Sequence, residues 1–236
     1  RRRGSVVTHM RGCATPDSAG VVSEHYCSVC PDKRLLEDRY EEISMAEPHF
    51  ADLLEMEFRW PKIGDRLFSD GKPAYAAFLA NHSDERLYHQ TEGYKLAADL
   101  LVDQADAVAW QRKKLVYPII FCYRHFLELR LKSSLAQYGA MGGVPENWSS
   151  HRLEDLWRRF RDLLCNIGAD HPGEIGTDAV EECIAEFAKI DPISETFRYP
   201  FSRRGQPLDI QCETVDLINL RETMQAIDNY FVASDG

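Results

Sequence analysis

Tyr117-Pro118-Ile119-Ile120-Phe121-Cys122-Tyr123-Arg124-His125-Phe126-Leu127-Glu128-Leu129-Arg130-Leu131-Lys132-Ser133-Ser134-Leu135 is the stretch whose reading decides the fold. Wound as a helix at about 100° per residue, it carries apolar side chains in nearly every direction. A helix of that kind is covered on most sides, which puts it in the middle of a bundle. Its polar residues are not scattered. Arg124, Glu128, Lys132 and His125 share an arc of roughly 100°, and only Arg130 points the other way. Glu128 lies one turn from Arg124 and one turn from Lys132, the spacing at which helix side chains meet. Buried charge is costly unless paired, so such a seam needs a reason. Two readings fit: an internal ion-pair network that sets the register between helices, or a polar pocket that holds an anionic, nucleotide-like ligand. His125 taken by itself reads as a satisfied core histidine. Pro118 marks the start of the block or a kink in it.

Working outward, the remaining chain from residue 46 reads as helix after helix. Pro48 to Phe58 has the pattern of a short amphipathic helix that Trp60-Pro61 ends. Pro73 to Ala80 is predicted to start another, with proline in its first turn. Ser83-Asp84-Glu85 has the form of a cap followed by acids at the positive end of a helix dipole. The apolar face behind it runs Tyr94, Ala97, Leu101, Ala105, Val108. After the block, Gly139 to Gly143 makes a turn, and His151 stands at the start of the next helix as a cap or a site residue. Leu153, Leu156, Trp157, Phe160, Leu163 and Leu164 follow at helical spacing. Thr177-Asp178 opens a helix that Asp191-Pro192 ends. Residues 192–212 hold Pro192, Pro200, Gly205 and Pro207, so they form a long irregular connection, with a small hairpin edge at Leu208–Cys212. Leu217, Leu220, Met224, Ile227 and Phe231 give the last helix a heptad-like face. The fold class is all-α: a helical bundle with a long buried central helix and a long irregular connection before the last helix.

Composition agrees with one globular domain and a small appendage. The chain has 236 residues, 44% hydrophobic and 28% charged, with a formal net charge of −10. No stretch approaches the roughly 18 apolar residues of a transmembrane helix, and no apolar run follows the basic start Arg1-Arg2-Arg3 as a secretory signal requires. Seven cysteines, an odd number, four of them in apolar helical segments, fit reduced thiols in a cytoplasmic protein. Charge is uneven. Residues 110–165 carry ten bases against five acids, and residues 170–236 carry five against fourteen. A net acidic chain is a poor general nucleic-acid binder, although a local basic face can hold a phosphate. Residues 1–44 lack any sustained apolar period and read as a leader, tag-like or disordered arm, with the helical domain over 45–236. The arm holds Cys27-Ser28-Val29-Cys30 near Cys13, His9 and His25, but a zinc site needs a second well-spaced pair, so no metal and no cofactor are expected.

Phe197-Arg198-Tyr199-Pro200, in the irregular connection, presents an arginine between two aromatics, and Arg198 and Tyr199 are placed to complete a pocket on the seam. There is no G-x-S-x-G elbow, P-loop, dinucleotide fingerprint or H-E-x-x-H. Cys122 falls in the apolar sector of the wheel, away from Glu128, and is rejected as a nucleophile.

Arg124-His125-Phe126-Leu127-Glu128-Leu129-x-Leu131-Lys132, with His151-Arg152-Leu153-Glu154-Asp155-Leu156-Trp157 opening the next helix, resembles the central part of bacterial HEPN-like all-helical domains, over about residues 80–235. The resemblance implies a helical bundle, commonly a homodimer, that binds nucleotides or RNA in regulatory or defence settings, with a cognate antitoxin or neighbouring protein as partner. It tips the seam toward a pocket in which Arg124, Glu128, Lys132, Arg198 and Tyr199 hold a nucleotide, an RNA end or another phosphate-bearing ligand. The catalytic signature of that family is arginine, four to six residues, then histidine. Here it occurs only as Arg3-x5-His9, in the arm, so a non-catalytic binding domain is the expectation. A divergent ribonuclease or nucleotide-processing enzyme using His125 or His151 is the alternative, and a purely structural protein-interaction module is another.

Overall fold

The computed structural model describes residues 59–68, 73–169 and 175–234. The chain divides into two compact units, Arg1–Ser69 and Asp70–Gly236. Of the first, the described part is a short turn in which Arg59 pairs with Asp65 at 2.8 Å and Asp65 also accepts the backbone N–H of Lys62. The arm over 1–44, its cysteines and the helix expected over Pro48–Phe58 lie outside the described residues.

The second unit is built from five helices among the described residues: α1 (Ser83–Ala107), α2 (Arg112–Tyr138), α3 (Leu153–Ile167), α4 (Ile175–Ile190) and α5 (Leu217–Ser234). Described residues contain no β-strand, only an isolated bridge between Phe201 and Pro207. The all-α bundle is the fold. α2 is its centre, as the apolar wheel requires: Ile119, Tyr123, Phe126, Leu127 and Leu131 are fully buried. It runs without interruption through Pro118, which therefore sits in the seventh position of the helix and does not start it. α1 lies along α2 in the most extensive pairing, then α3, α4 and α5 close the core through Leu156, Phe160, Ile184, Met224 and Phe231.

Several local expectations change. Pro73 to Ala80 forms one 3-10 turn at Pro73–Tyr75 and no helix, because Tyr75, Phe78 and Leu79 are exposed and no packing offsets the cost of nucleation. Ser83 is the first helical residue and not the cap. The capping position is the extended His82, and the Ser83 hydroxyl bonds the Asp84 carboxylate instead. The buried face of α1 is Thr91, Ala98, Val102 and Ala105. Small side chains bring α1 close to α2, which turns Tyr94 and Leu101 to the edge of the core and leaves Leu96 and Leu100 outside. α4 begins two residues earlier than Thr177-Asp178. The hairpin expected at Leu208–Cys212 falls earlier, where the Leu208 N–H donates to the Pro200 carbonyl and Gly205 turns the chain with φ of 73°.

Two glycines fix the ends of α2 and α3. A Cβ on Gly139 would stand 2.3 Å from the Leu135 carbonyl oxygen and 2.4 Å from that of Val144, so the chain leaves α2 there only with glycine. Gly168 ends α3 in the left-handed region, with the Ala169 N–H donating back to the Leu164 carbonyl, a Schellman-type stop.

Candidate functional site

The polar seam of α2 is closed. Arg124 has none of its surface exposed, Glu128 has 1%, Lys132 has 6%, and Asp191, at the end of α4, has 1%. The Arg124 guanidinium is satisfied on every side. Nη1 donates to Glu128 Oε2 at 3.2 Å and Nη2 to the His151 carbonyl at 2.8 Å. Nε donates to the Asp191 carbonyl at 3.1 Å and lies 3.3 Å from Asp191 Oδ2. Lys132 Nζ donates to Glu128 Oε1 at 2.8 Å and to the Trp148 carbonyl at 3.1 Å. Three elements meet here: the middle of α2, the loop that precedes α3, and the residue that ends α4.

Each carboxylate has a distinct job. Glu128 is shared by Arg124, Lys132 and His151, whose Nδ1 lies 2.8 Å from Oε1. Burial pushes the Glu128 carboxyl up, but the hydrogen bonds and charges of Lys132 and His151 outweigh it and hold the group below the usual carboxylate range. Burial pulls the Arg124 guanidinium down, and Asp191 and Glu128 push back. Asp191 Oδ1 accepts the N–H groups of Glu195 and Thr196 at 2.8 and 3.1 Å, so it pins the start of the irregular connection to α2. Asp191 is the member that the sequence reading missed. Its signal was the turn-forming Asp191-Pro192 pair, read there only as a helix end.

The histidines lie at the rim. The His151 side chain is 62% exposed, with Nδ1 turned in to Glu128, and it caps nothing, since the capping position of α3 is Arg152. His125 is half-buried, stacked on Phe121 at 5.6 Å and edge-on to Tyr94 at 4.4 Å. Burial holds its imidazole below the ordinary histidine value.

Arg198 and Tyr199 stand apart from the closed seam. Arg198 is exposed, with its guanidinium 5.7 Å from the Phe121 ring centre and 5.5 Å from that of Tyr199. Its Nε donates to the Ser194 carbonyl, and among the described residues no carboxylate pairs with it. It lies close enough to Arg124 and His125 to disfavour a proton on either. A hollow of about 350 Å³ opens beside it, walled by Tyr117, Tyr199, Pro200 and Ile210, and another of about 290 Å³ lies on the side of Phe201 and Arg203.

A second polar cluster, also missed in the sequence, joins α1, α2 and α5. The Tyr123 hydroxyl donates to Asp99 at 2.6 Å, and Lys95 bridges Asp99 and Asp228 at 3.1 and 3.7 Å. Burial and Asp99 raise the Tyr123 phenol far above its usual range. Lys95 and Asp99 are one turn apart on α1, but Tyr123 and Asp228 come from α2 and α5, so local spacing shows only half of it.

Cys122, Cys165, Cys183 and Cys212 are free thiols. Among the described residues no group of histidine, cysteine and carboxylate side chains is arranged to hold a metal, and no helix is long and apolar enough to cross a membrane. Compared with the known protein families, with curated proteins and with solved structures, the chain matches none of them.

Proposed function

We propose that the chain is an HEPN-like helical binding module that takes a nucleotide, an RNA end or another phosphate-bearing ligand at its surface, in a regulatory or defence setting. The observation that carries this reading is Arg198: an exposed guanidinium held between aromatic rings, ion-paired with no carboxylate among the described residues, beside hollows on both sides, one of them lined also by Glu195, which pairs with Arg203. A planar base can lie against Tyr199 or Tyr117, and a phosphate can take the two free edges of the guanidinium. The seam serves that site from beneath. Arg124, Glu128, Lys132 and Asp191 answer one another's charges and hold the start of the connection, so Arg198 is presented from a fixed backbone.

The test is titration of a nucleotide panel and short single-stranded RNAs against the parent protein, Arg198→Ala and Tyr199→Ala. Loss of Arg198 weakens binding about tenfold or more, the equivalent of one charge-assisted hydrogen bond. Equal affinity in parent and Arg198→Ala for every bound ligand defeats the reading, as does a parent protein that binds none.

One observation favours the enzyme reading. The buried Glu128 orients the exposed His151 through Nδ1, which leaves Nε2 toward solvent as an acid–base group, the arrangement a histidine needs for hydrolytic chemistry. Cleavage of short RNAs or nucleotides that disappears in His151→Ala, with binding retained, would establish it over simple binding. The homodimer that the resemblance implies falls, in this reading, to the outer face of α1. There Leu96 and Leu100 are exposed one turn apart, whereas the apolar face of α5 is consumed by the core.

A further inference from the structure

A cavity of about 240 Å³ lies beside the polar seam, where Ile120 of α2, one turn before Arg124, meets α4, α5 and the irregular connection. Its wall is apolar: Ile120, Phe187, Phe197, Leu220, Met224 and Ile227. The cavity opens to solvent on one side, so an apolar body that enters it takes exposed apolar wall out of water. An engineered cavity of about 150 Å³ lined by similar side chains takes up benzene, so the space here suits an apolar body of about eight to ten heavy atoms. Its charged lining residues are of one sign. Glu186 and Asp216 line it with the neutral Asn219 and Thr223, and among the described residues no lysine, arginine or histidine does. Two thiols face it from separate elements, Cys183 from α4 and Cys212 from the connection.

We infer that this cavity is a binding site for a small amphiphile with an aliphatic or aromatic body and a neutral or cationic head. The apolar wall takes the body, since each methylene moved out of water favours binding. The acidic rim sets the head. A carboxylate or phosphate there would face Glu186 and Asp216 with no cation to answer it, whereas an alcohol or an ammonium meets acceptors. Asp216 has a fixed position, because its Oδ1 caps α5 by accepting the N–H groups of Ile218 and Asn219. Cys183 is partly buried, and that burial, with Glu186 and Glu182, raises its thiol above the ordinary value. This site shares the Phe197 wall with the Arg198 surface but has the opposite charge preference, so ligands of opposite charge tell the two apart.

Three probes with one tail decide it: 1-octanol, octylamine and octanoate, each below its micellar concentration. The readout is the rate of N-ethylmaleimide alkylation at Cys183 and Cys212, resolved by peptide mass spectrometry, with the exposed Cys165 as the internal control. The alcohol and the amine slow both cavity thiols by about tenfold at about ten times their dissociation constants and leave Cys165 unchanged. Octanoate gives no protection. Val215→Trp, which fills the cavity from the connection, abolishes the protection while the far-ultraviolet circular dichroism stays helical. If that variant does not fold, Glu186→Gln takes its place and must weaken protection by the amine but not by the alcohol. Absence of protection by any probe overturns the inference. So does protection by octanoate equal to that by the amine, or protection that survives both variants.

Discussion

Arg198 lies near enough to Arg124 to disfavour its charge, yet the two have opposite surroundings. Arg124 is enclosed by Glu128, the Asp191 carboxylate and two backbone carbonyls, and nothing of it reaches solvent. Arg198 has one backbone partner, two aromatic faces and open water. The difference teaches which charge the fold needs and which the fold merely displays. A guanidinium whose every donor is matched internally belongs to the bundle's architecture. One that is steadied by stacking and left without a counter-charge is available to a visitor.

The comparison breaks first at Glu128. Replacing it with alanine leaves Arg124 and Lys132 facing each other in a dry interior, and Glu128→Ala is expected to cost about 3–5 kcal/mol in urea unfolding. Arg124→Ala, which strands Glu128, Asp191 and the His151 carbonyl, is expected in the same range. A loss below about 1 kcal/mol for either, the scale of an exposed pair, would mean that the seam is wetter than its burial implies.

Lys132→Met sharpens the picture at smaller amplitude. The stem continues to fill its place, while Glu128 keeps Arg124 and His151 as partners. The expected loss is about 1–3 kcal/mol, set by one charge-assisted hydrogen bond and the orphaned Trp148 carbonyl. A loss as large as that of Glu128→Ala would show that the three groups act as one inseparable unit.

Acid separates the seam from its rim. The folded His125 has a lowered pKa, so below about pH 6.5 the unfolded chain takes up a proton that the folded chain refuses, and stability falls as pH falls. His125→Gln removes that part of the slope. Glu128 has a lowered folded pKa, so its contribution is present above about pH 4.3 and is lost as pH falls through the folded value. A melting temperature that is flat from neutral pH down to about pH 5 in the parent protein would contradict the burial of His125. The smallest thermodynamic effect belongs to Arg198→Ala, which should leave the melting temperature of the ligand-free protein unchanged while binding is lost. A large drop in melting temperature would move Arg198 from display to architecture.

The bundle was legible because α2 advertises itself. A helix apolar on nearly every side has one place to go, and the helical spacing of Leu153 to Leu164 and of Leu217 to Phe231 supplies the walls around it. The seam was legible as a stripe, since Arg124, Glu128 and Lys132 share a helix face. Its closure was not. Arg124's remaining partners are a carbonyl 27 residues on and an aspartate 67 residues on, and backbone carbonyls leave no mark in a sequence. The same holds for His151, where the contact with Glu128 depends on how the Gly139 turn returns the chain. On α1 the apolar pattern pointed to Tyr94, Ala97, Leu101, Ala105 and Val108; Ala105 is fully buried and Tyr94 and Leu101 pack at the core's edge, while Ala98 and Val102, one residue on, take its centre.

The Asp191 tether has a consequence for chain length. Glu195 and Thr196 are fixed by its carboxylate, and the Arg198 and Tyr199 N–H groups donate to the Glu195 carbonyl, so the first stretch of the connection is anchored. Farther on, the excursion around Gly205 is closed at its base by the Phe201–Pro207 bridge and the bond from Leu208 to Pro200, and Arg203 to Gln206 stand in solvent. An insertion between Arg204 and Gly205 would enlarge a loop whose ends are already held together, and each doubling of such a loop costs only about 0.6 kcal/mol of closure entropy. That tip is therefore where an epitope or a labelling peptide can be spliced into the chain without asking anything of the five helices.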